Sequence, residues 1–447
     1  MAATNDSIAA IATPPGAGGI GVVRISGKAA AAVAQAFLGH APTPRHAHFS
    51  AFTGADGTVL DRGLLLFFAA PHSYTGEDVL ELHAHGSVPV LHALMERLAQ
   101  FSIRMARPGE FSERAFLNGK LDLAQAEAVA DLIAAGTQAA ARAAMRSLDG
   151  EFSRRVHALT EAVVQVRLRI EAAIDFSDEP IDALAGIALE ETAQRLDADF
   201  ATLLKEARQG QRLTQTPQVA IIGPPNAGKS SLLNALSQSE RAIVSATPGT
   251  TRDVLRETVE VDGVLMALAD TAGLREADDE IEREGIRRAR IERDRADVVV
   301  LVIESDAPDA HSVLDGVPAD VPVLIVRNKI DRDGLVPGTY TDANGRITIR
   351  LSARNGEGIQ LLRAELRRGA GIGDGQHGFS ARARHVEALE RARLALDGAR
   401  EGLRGGVPLE LAAEDLRVVQ AALGEITGTF GVEDLLGRIF ANFCIGK

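Results

Sequence analysis

Gly223-Pro-Pro-Asn-Ala-Gly-Lys-Ser-Ser231 follows the apolar run Val219 to Ile222 and leads into the helix-like Ser231-Leu-Leu-Asn-Ala-Leu236. The order is strand, glycine loop, helix, which is the setting that the P-loop pattern G-x-x-x-x-G-K-[ST] requires. Gly223 and Gly228 let the backbone fold into a nest of N–H groups around phosphate oxygens, and the helix N-terminus adds partial positive charge. Asn226, Ala227, Lys229, Ser230 and Ser231 complete the loop. Lys229 is expected to reach the β and γ phosphates, and the Ser230 hydroxyl to ligate Mg²⁺. A Gly-rich turn before any helix satisfies the bare pattern, so the reading depends on the residues downstream.

Four further signals fall at strand ends, in the order a nucleotide pocket requires. The loop Ser245-Ala246-Thr247-Pro248-Gly249-Thr250-Thr251-Arg-Asp253 offers a threonine hydroxyl for the Mg²⁺ shell while a γ-phosphate holds it closed. Asp270-Thr271-Ala272-Gly273 ends a strand, where the carboxylate can hold a metal-bound water and the Gly273 N–H can bond the γ-phosphate. Asn328-Lys329-Ile-Asp331 selects the base, because the Asp331 carboxylate accepts from the N1–H and N2–H donors that guanine has and adenine lacks. Ser352-Ala353-Arg354 presents a backbone N–H to guanine O6. Together these motifs read as a GTPase rather than an ATPase. Leu274 stands where common small GTPases carry a water-orienting Gln, so another group must do that work. The acidic run Asp278 to Glu284 offers carboxylates, with a solvated helix start as the plainer reading.

Around this module the chain organises itself. At 447 residues it exceeds one core, with 46% hydrophobic and 24% charged residues, one Cys and no Trp. That composition fits a cytoplasmic, multidomain globular protein without a disulfide framework, signal peptide or membrane span. A net charge of −13 argues against a bulk electrostatic grip on nucleic acid. Residues 1–119 read as α/β, with strands at Ile8 to Ala12, Ile20 to Ile25, Leu64 to Phe68 and Val79 to His83, and helices at Lys28 to Phe37 and Val88 to Ala99. Gly16, Gly18, Gly19 and Gly21 read as tight turns. His83 and His85 share a strand face and can pair on a metal, although satisfied or solvent-facing histidines are the plainer reading.

From about Lys120 glycine becomes rare and helices are expected. Val156, Leu159, Val163, Val166, Ile170 and Ile174 form one apolar stripe. Leu389, Ala392, Leu396, Ala399 and Leu403, then Ala412, Leu416, Val419, Leu423 and Ile426, repeat the spacing after a Gly-rich linker at Gly369 to Gly378. The simplest architecture packs residues 120–213 against 379–447 as one discontinuous helical domain, with the P-loop module, 214–378, inserted between them. Within that module, strands are expected at Val219 to Ile222, Val264 to Ala269, Val298 to Ile303 and Val321 to Val326, with a hairpin turn at Asp262-Gly263.

Long strings elsewhere resemble the MnmE/TrmE family of tRNA-modifying GTPases. They are Ala12-Thr-Pro-Pro-Gly16, Gly21-Val-Val-Arg-Ile-Ser-Gly27, Tyr74-Thr-Gly-Glu-Asp-Val-Leu-Glu81, Pro108-Gly-Glu-Phe-Ser-Glu-Arg-Ala-Phe-Leu-Asn118, Leu121-Asp-Leu-Ala-Gln-Ala-Glu127 and the terminal Phe443-Cys-Ile-Gly-Lys447. The resemblance implies a multidomain α/β plus all-α fold, with an N-terminal α/β folate-binding and dimerisation domain, a discontinuous helical domain and an inserted Ras-like P-loop GTPase domain. It implies a homodimer binding a 5-formyltetrahydrofolate-type one-carbon donor, with Arg24, Glu81, Lys120 and Lys447 on the folate. It also implies K⁺-dependent dimerisation of the GTPase domains, K⁺ at Asn226, Ser245, Thr247 and Thr250, Mg²⁺ at Ser230 and Thr251, and Glu282 as the catalytic glutamate. With the FAD-containing partner MnmG, in a heterotetramer or larger complex, the family adds an aminomethyl or carboxymethylaminomethyl group to C5 of the wobble uridine of certain tRNAs. Cys444 matches the family's terminal cysteine, and its role stays open between buried small hydrophobe and nucleophile. The competing readings are a regulatory GTP switch and a ribosome-assembly GTPase. Folate binding separates the first, and the acidic net charge disfavours the second.

Overall fold

The computed structural model describes residues 6–175, 183–237, 256–270, 295–308, 314, 317–318, 321–342, 345–371, 378–406, 408–429, 439–440, 443 and 446. The chain divides into two units. One comprises Met1–Ala130, Leu148–Leu196 and Arg391–Lys447, the other Asp131–Ser147 and Asp197–Glu390.

The first unit opens with a mixed sheet of β1 (Ser7–Ile11), β2 (Gly18–Ser26), β3 (Ala47–Thr53), β4 (Val59–Phe68), β5 (Val79–Gly86) and β6 (Ile103–Met105), in the order β3-β4-β5-β2-β1-β6. Alternation along β2 sends Val23 and Ile25 into the core and leaves Val22 and Arg24 half-exposed on the other face. Helices α1 (Ala29–Leu38) and α2 (Val88–Ala99) cover the core face, α2 through Leu91, Leu94 and Leu98. Strands β3 and β6 escape the sequence reading because neither carries a long apolar run.

The glycines near the start correct the tight-turn reading, since Gly18, Gly19 and Gly21 lie inside β2, where the pairing with β5 shifts register. A Cβ on Gly21 would stand 2.7 Å from the Leu91 methyls, and one on Gly86 would stand 2.5 Å from the Gly18 carbonyl oxygen. The strand is stripped of side chains so that α2 and the neighbouring backbone can approach. Helix begins earlier than Lys120, at α3 (Glu110–Leu117), followed by α4 (Leu123–Ala134), α5 (Gln138–Leu148), α6 (Glu151–Asp175) and α7 (Ala183–Thr214).

In α6 the stripe Val156, Leu159, Val163, Val166 and Ile170 is buried, while Ile174 is only half-buried. Its partner is a late helix, Leu409–Thr427, whose Ala412, Leu416, Val419, Leu423 and Ile426 are all buried, and Arg167 reaches across to Gln420 at 2.5 Å.

The second unit holds a seven-stranded sheet of β7 (Gln218–Ile222), β8 (Arg256–Val261), β9 (Val264–Asp270), β10 (Val298–Glu304), β11 (Val323–Asn328), β12 (Gly338–Thr341) and β13 (Ile347–Arg350), in the order β12-β13-β11-β10-β7-β9-β8. The five inner strands are parallel, and β8 and β12 close the edges antiparallel. In β10, Val298, Val300 and Val302 face one core and Val299, Leu301 and Ile303 the other, as a doubly covered parallel strand demands. Helices α8 (Lys229–Ser237), α9 (Ile330–Asp333) and α10 (Ile359–Gly369) follow β7, β11 and β13.

The β8–β9 hairpin turns at Asp262 (φ 48°) and Gly263 (φ 86°), the two consecutive positive φ values of a two-residue hairpin loop. Strand β11 starts two residues later than the apolar run predicts, after Pro322, and therefore ends on Asn328. The edge strand β12 is too short to show in the sequence. Helix α11 (Ala383–Glu401) passes through a π-helical turn, Gly402–Gly406, before α12 (Leu409–Thr427), and that turn leaves Leu403 half-buried, outside the expected stripe.

Residues of both helical blocks fall in the second unit, which holds most of α5, the end of α7 and the start of α11. There the Ser380 N–H donates to the Ala143 carbonyl (3.1 Å), the Ser147 hydroxyl to the Ser380 carbonyl (2.8 Å), and Arg382 pairs with Asp131 (2.7 Å). Gly136 lies so near the β8–β9 hairpin that a Cβ there would be 2.2 Å from a Leu265 methyl.

Candidate functional site

The C-terminal ends of the parallel strands of the second unit share one edge of the sheet, and four of the expected motifs begin there. Gly223 follows β7, Asp270 ends β9 beside Ile221, Asn328 ends β11, and Ser352 comes two residues after β13. Strands β7 and β10 are neighbours whose connections leave in opposite directions, the switch point at which such sheets bind ligands.

Gly223 has φ 147°, and a Cβ on it would lie 2.1 Å from the Val302 carbonyl oxygen, so only glycine lets the loop leave the strand here. Asn226 (φ 62°) and Gly228 (φ 93°) adopt the positive-φ conformations from which backbone nests are built, and the Leu232 N–H closes the first turn of α8 on the Gly228 carbonyl at 2.9 Å. Lys229 is buried, with Nζ donating to the Gly223 (2.9 Å) and Pro224 (2.8 Å) carbonyls. Ser230 and Ser231 are exposed at the start of the helix.

Asn328 joins three of these loops. It is 2% exposed. Its Nδ2 donates to the Ala227 carbonyl in the P-loop (2.9 Å), and its Oδ1 accepts from the Lys329 N–H (2.8 Å) and the Ala353 N–H (3.0 Å). A Cβ at Gly228 would be 2.3 Å from that Nδ2, so the second P-loop glycine makes room for the asparagine as well as for a nest. Lys329 sits at φ 68° and pairs with Glu304 at the end of β10.

Asp331 is exposed, and its Oδ1 accepts from the buried Ser352 hydroxyl at 2.6 Å. That hydrogen bond, helped by the Arg354 and Arg332 charges, holds the Asp331 carboxyl below the usual carboxylate range, so it stays an acceptor. Ser352 Oγ also accepts from the Asn355 N–H at 3.3 Å.

A second constellation lies in the first unit. Arg24 on β2 and Glu81 on β5 face each other across the sheet, with Nε and a terminal guanidinium nitrogen each 2.9 Å from Glu81 Oε1. The Tyr74 and Phe111 ring centroids lie 5.8 Å and 6.0 Å from the guanidinium carbon, and the remaining nitrogen reaches the Gly446 carbonyl at 3.4 Å. Gly446 therefore lies at this sheet, where a Cβ on it would stand 2.7 Å from the Ile11 carbonyl oxygen. Lys120 is exposed and donates to the Pro71 carbonyl at 3.1 Å, on the loop that carries Tyr74. His83 bonds Glu81 (3.1 Å) and His85 bonds Asp61 (2.8 Å), and among the described residues no cluster of three metal-ligating side chains exists.

Beside this pair an ionic cluster centred on the buried Glu110 and Arg114 fixes α3. Glu110 accepts from Arg104, from the Arg107 N–H (2.8 Å) and from Arg114 (3.1 Å), while Arg114 also reaches Asp6 (2.8 Å) and Glu77 (3.0 Å). Burial alone would raise the Glu110 carboxyl, but these donors reverse the effect and hold its pKa down to about 2.

The family description "MnmE helical domain" matches residues 123–444, and "GTP-binding protein TrmE N-terminus" matches 7–120. The tRNA modification GTPase MnmE of Stutzerimonas stutzeri is 51% identical over the whole of both chains, and that of Methylococcus capsulatus 52% over 99% of each. The chain belongs to the MnmE family of tRNA modification GTPases. A solved G domain of the T. maritima FeoB iron transporter is 25% identical over 35% of this chain and 99% of its own, at a TM-score of 0.27, and the assignment rests on the curated relatives instead.

Several expected site residues of this MnmE-family chain lie outside the described residues: Ser245, Ala246, Thr247, Pro248, Gly249, Thr250, Thr251, Thr271, Ala272, Gly273, Leu274, Glu282, Cys444 and Lys447, together with the Asp270 side chain. Of the others, the structure gathers Asn226, Ala227, Gly228, Lys229, Asn328, Lys329, Asp331, Ser352 and Ala353 at one sheet edge, and Arg24 with Glu81 at the other site. Sequence reasoning missed Glu304, Tyr74, Phe111 and the α3 cluster. The strings Tyr74 to Glu81 and Pro108 to Asn118 contained most of these residues, but no local spacing announced their chemistry. Among the described residues, no helix is long and apolar enough to cross a membrane.

Proposed function

We propose that the chain hydrolyses GTP as a step in tRNA modification, with residues 214–378 as the GTPase module inserted between helical segments 120–213 and 379–447, behind an N-terminal domain of residues 1–119. The observation that carries the nucleotide reading is Asn328, because one buried side chain ties the phosphate loop to both base-side loops. The positive-φ turns at Gly223, Asn226 and Gly228, ahead of the N-terminus of α8, suit a polyphosphate. Lys229 would exchange its carbonyl partners for phosphate oxygens, a better match for an ammonium. Asp331, oriented by Ser352, accepts from guanine N1–H and N2–H, and Ser352-Ala353-Arg354 lines the O6 side. Mg²⁺ would be held by Ser230 and Thr251, and K⁺ by Asn226, Ser245, Thr247 and Thr250. The two cations supply positive charge against the phosphates, and Glu282 orients the attacking water.

The Arg24–Glu81 pair is the proposed folate site. A guanidinium near two rings, with a carboxylate beside it, suits a ligand that joins a flat, donor-bearing pyrimidinone to carboxylates, such as 5-formyltetrahydrofolate, with Lys120 and Lys447 on its charged end. The homodimer reading draws support from Phe49 (70% exposed) and Leu64 (41%), cross-strand neighbours on the sheet face that carries Arg24. MnmG is the proposed enzyme partner and tRNA the substrate.

The test is turnover of GTP and of ATP by the purified chain, in KCl and in NaCl at matched ionic strength. GTP hydrolysis that exceeds ATP hydrolysis and rises in KCl is the expected result. Equal use of ATP overturns the base reading, and equal rates in the two salts overturn the potassium reading.

A further inference from the structure

Residues 69–78, between β4 and β5, bring Tyr74 to the Arg24 guanidinium, and the loop is tied on one side by α3 and the residues just after it, with Arg45 donating to the His72 carbonyl (2.7 Å) and Gly27 N–H to the Asp78 carbonyl (2.9 Å) from elsewhere. The Tyr74 hydroxyl and Ser112 Oγ are 2.8 Å apart, with Ser112 fully buried. Asn118, which caps α3, donates from Nδ2 to the Thr75 carbonyl at 2.7 Å. Arg114 holds Glu77 through both carboxylate oxygens (3.0 and 3.2 Å), and Lys120 Nζ reaches Pro71 O at 3.1 Å. Gly76, at φ 78°, lies so close that a Cβ would stand 3.1 Å from Asn118 Cβ and 3.3 Å from Lys120 Cγ. On the sheet side, Ser26 completes the clamp through Thr75 Oγ1 and Glu77 Oε2, both at 2.7 Å. The same helix supplies Phe111, the second ring on the guanidinium.

We propose that α3 is the positioning element of the folate-class site, with Ser112 and Asn118 setting the affinity of that site through Tyr74 while their own hydrogen bonds stay within the protein. This inference rests on the folate reading of Arg24 and Glu81. The physical reason is pre-organisation, since a loop ordered before binding leaves less conformational entropy to be lost when the ligand arrives. Arg24 is fixed from the strand side by Glu81 and flanked by Phe111 of α3, but Tyr74, its other aromatic neighbour, is fixed only as well as the loop is.

The experiment uses 5-formyltetrahydrofolate as the probe and the full chain as the protein. The sequence has no Trp and two Tyr, so in a Tyr340→Phe background Tyr74 is the sole tyrosine and its emission reports on the loop. Asn118→Ala and Ser112→Ala are expected to raise the Kd for the probe about tenfold each, the scale of one lost hydrogen bond. They are also expected to make Tyr74 emission more open to a collisional quencher, with GTP turnover at the parent value and Tm lowered by no more than one lost hydrogen bond. If either variant fails to fold, Tyr74→Phe, which deletes only the hydroxyl that Ser112 holds, carries the affinity test alone. A parent that binds the probe and loses it in Arg24→Ala, with Ser112→Ala, Asn118→Ala and Tyr74→Phe all binding as the parent does, overturns the positioning role and leaves the folate reading standing. A parent that binds no probe overturns both.

Discussion

The two sites are built on opposite plans. The nucleotide loops hang from the ends of parallel strands, and one neutral buried side chain, Asn328, bridges three of them with hydrogen bonds between 2.8 and 3.0 Å, beside the Asp331–Ser352 bond. The Arg24–Glu81 site sits across the face of a sheet and is braced by charges: Glu110, Arg104, Arg114, Asp6 and Glu77 form one network beneath it. A neutral bracket can be remade each time a ligand comes and goes, because breaking it leaves no bare charge in the interior. A buried ionic cluster has no such freedom, since removing one member strands the others. The first plan suits loops that respond to a nucleotide, the second a platform that holds a ligand still.

That contrast can be broken most forcefully at Glu110. Glu110→Gln is expected to destabilise the first unit by about 2 to 4 kcal/mol, the cost of breaking the buried Glu110–Arg114 pair while Arg114 keeps Asp6 and Glu77, as read from the urea midpoint. The pH dependence has a definite sign. Because the folded carboxyl titrates at about 2, below its ordinary 4.5, its contribution is complete above the ordinary value and drains away as pH falls through about 2. The glutamine variant should therefore show a flatter acid profile than the parent. An unchanged urea midpoint would mean that the cluster is not the brace described here.

The bracket at the other site is expected to give a smaller loss of stability and a larger loss of binding. Asn328→Ala leaves the Ala227 carbonyl and the Ala353 N–H without their partner, at about 1 to 3 kcal/mol. Guanine nucleotide affinity should fall far more than Tm, because three loops lose their common reference. Affinity and Tm that fall in proportion would place Asn328 among ordinary core residues.

The same contrast explains what could be read from the sequence. Nucleotide loops lie in short contiguous strings because each is one strand end, so Gly223 to Ser231, Asn328 to Asp331 and Ser352 to Arg354 announce themselves in a single chain. The hairpin at Asp262-Gly263 is legible for the same reason, since its positive φ values are a local demand. The other site joins Arg24, Tyr74, Glu81, Phe111 and Gly446, residues separated by up to 422 positions, through cross-strand register and packing. No periodicity encodes that meeting, and only resemblance to a family pointed to Arg24 and Glu81. Even within the nucleotide unit the long-range part was hidden. The pairing of Lys329 with Glu304, and the room that Gly228 leaves for Asn328, are tertiary facts. So is the place of α5, whose Gln138–Leu148 reads as one more amphipathic helix yet belongs with the GTPase sheet.

The central claim is that loops brought together at one sheet edge select guanine through Asp331, and one substitution tests it with little structural disturbance. Asp331 is exposed and holds Ser352 through one oxygen, so Asp331→Asn should fold as the parent does while replacing an acceptor with a donor. Equilibrium binding of guanosine and xanthosine triphosphates to this variant is the measurement. The expected result is an exchange, with affinity lost for GTP and gained for the xanthosine nucleotide, whose ring presents an acceptor where guanine presents the N2 donor. Parent-like affinity for GTP, with none gained for the xanthosine nucleotide, would contradict the account.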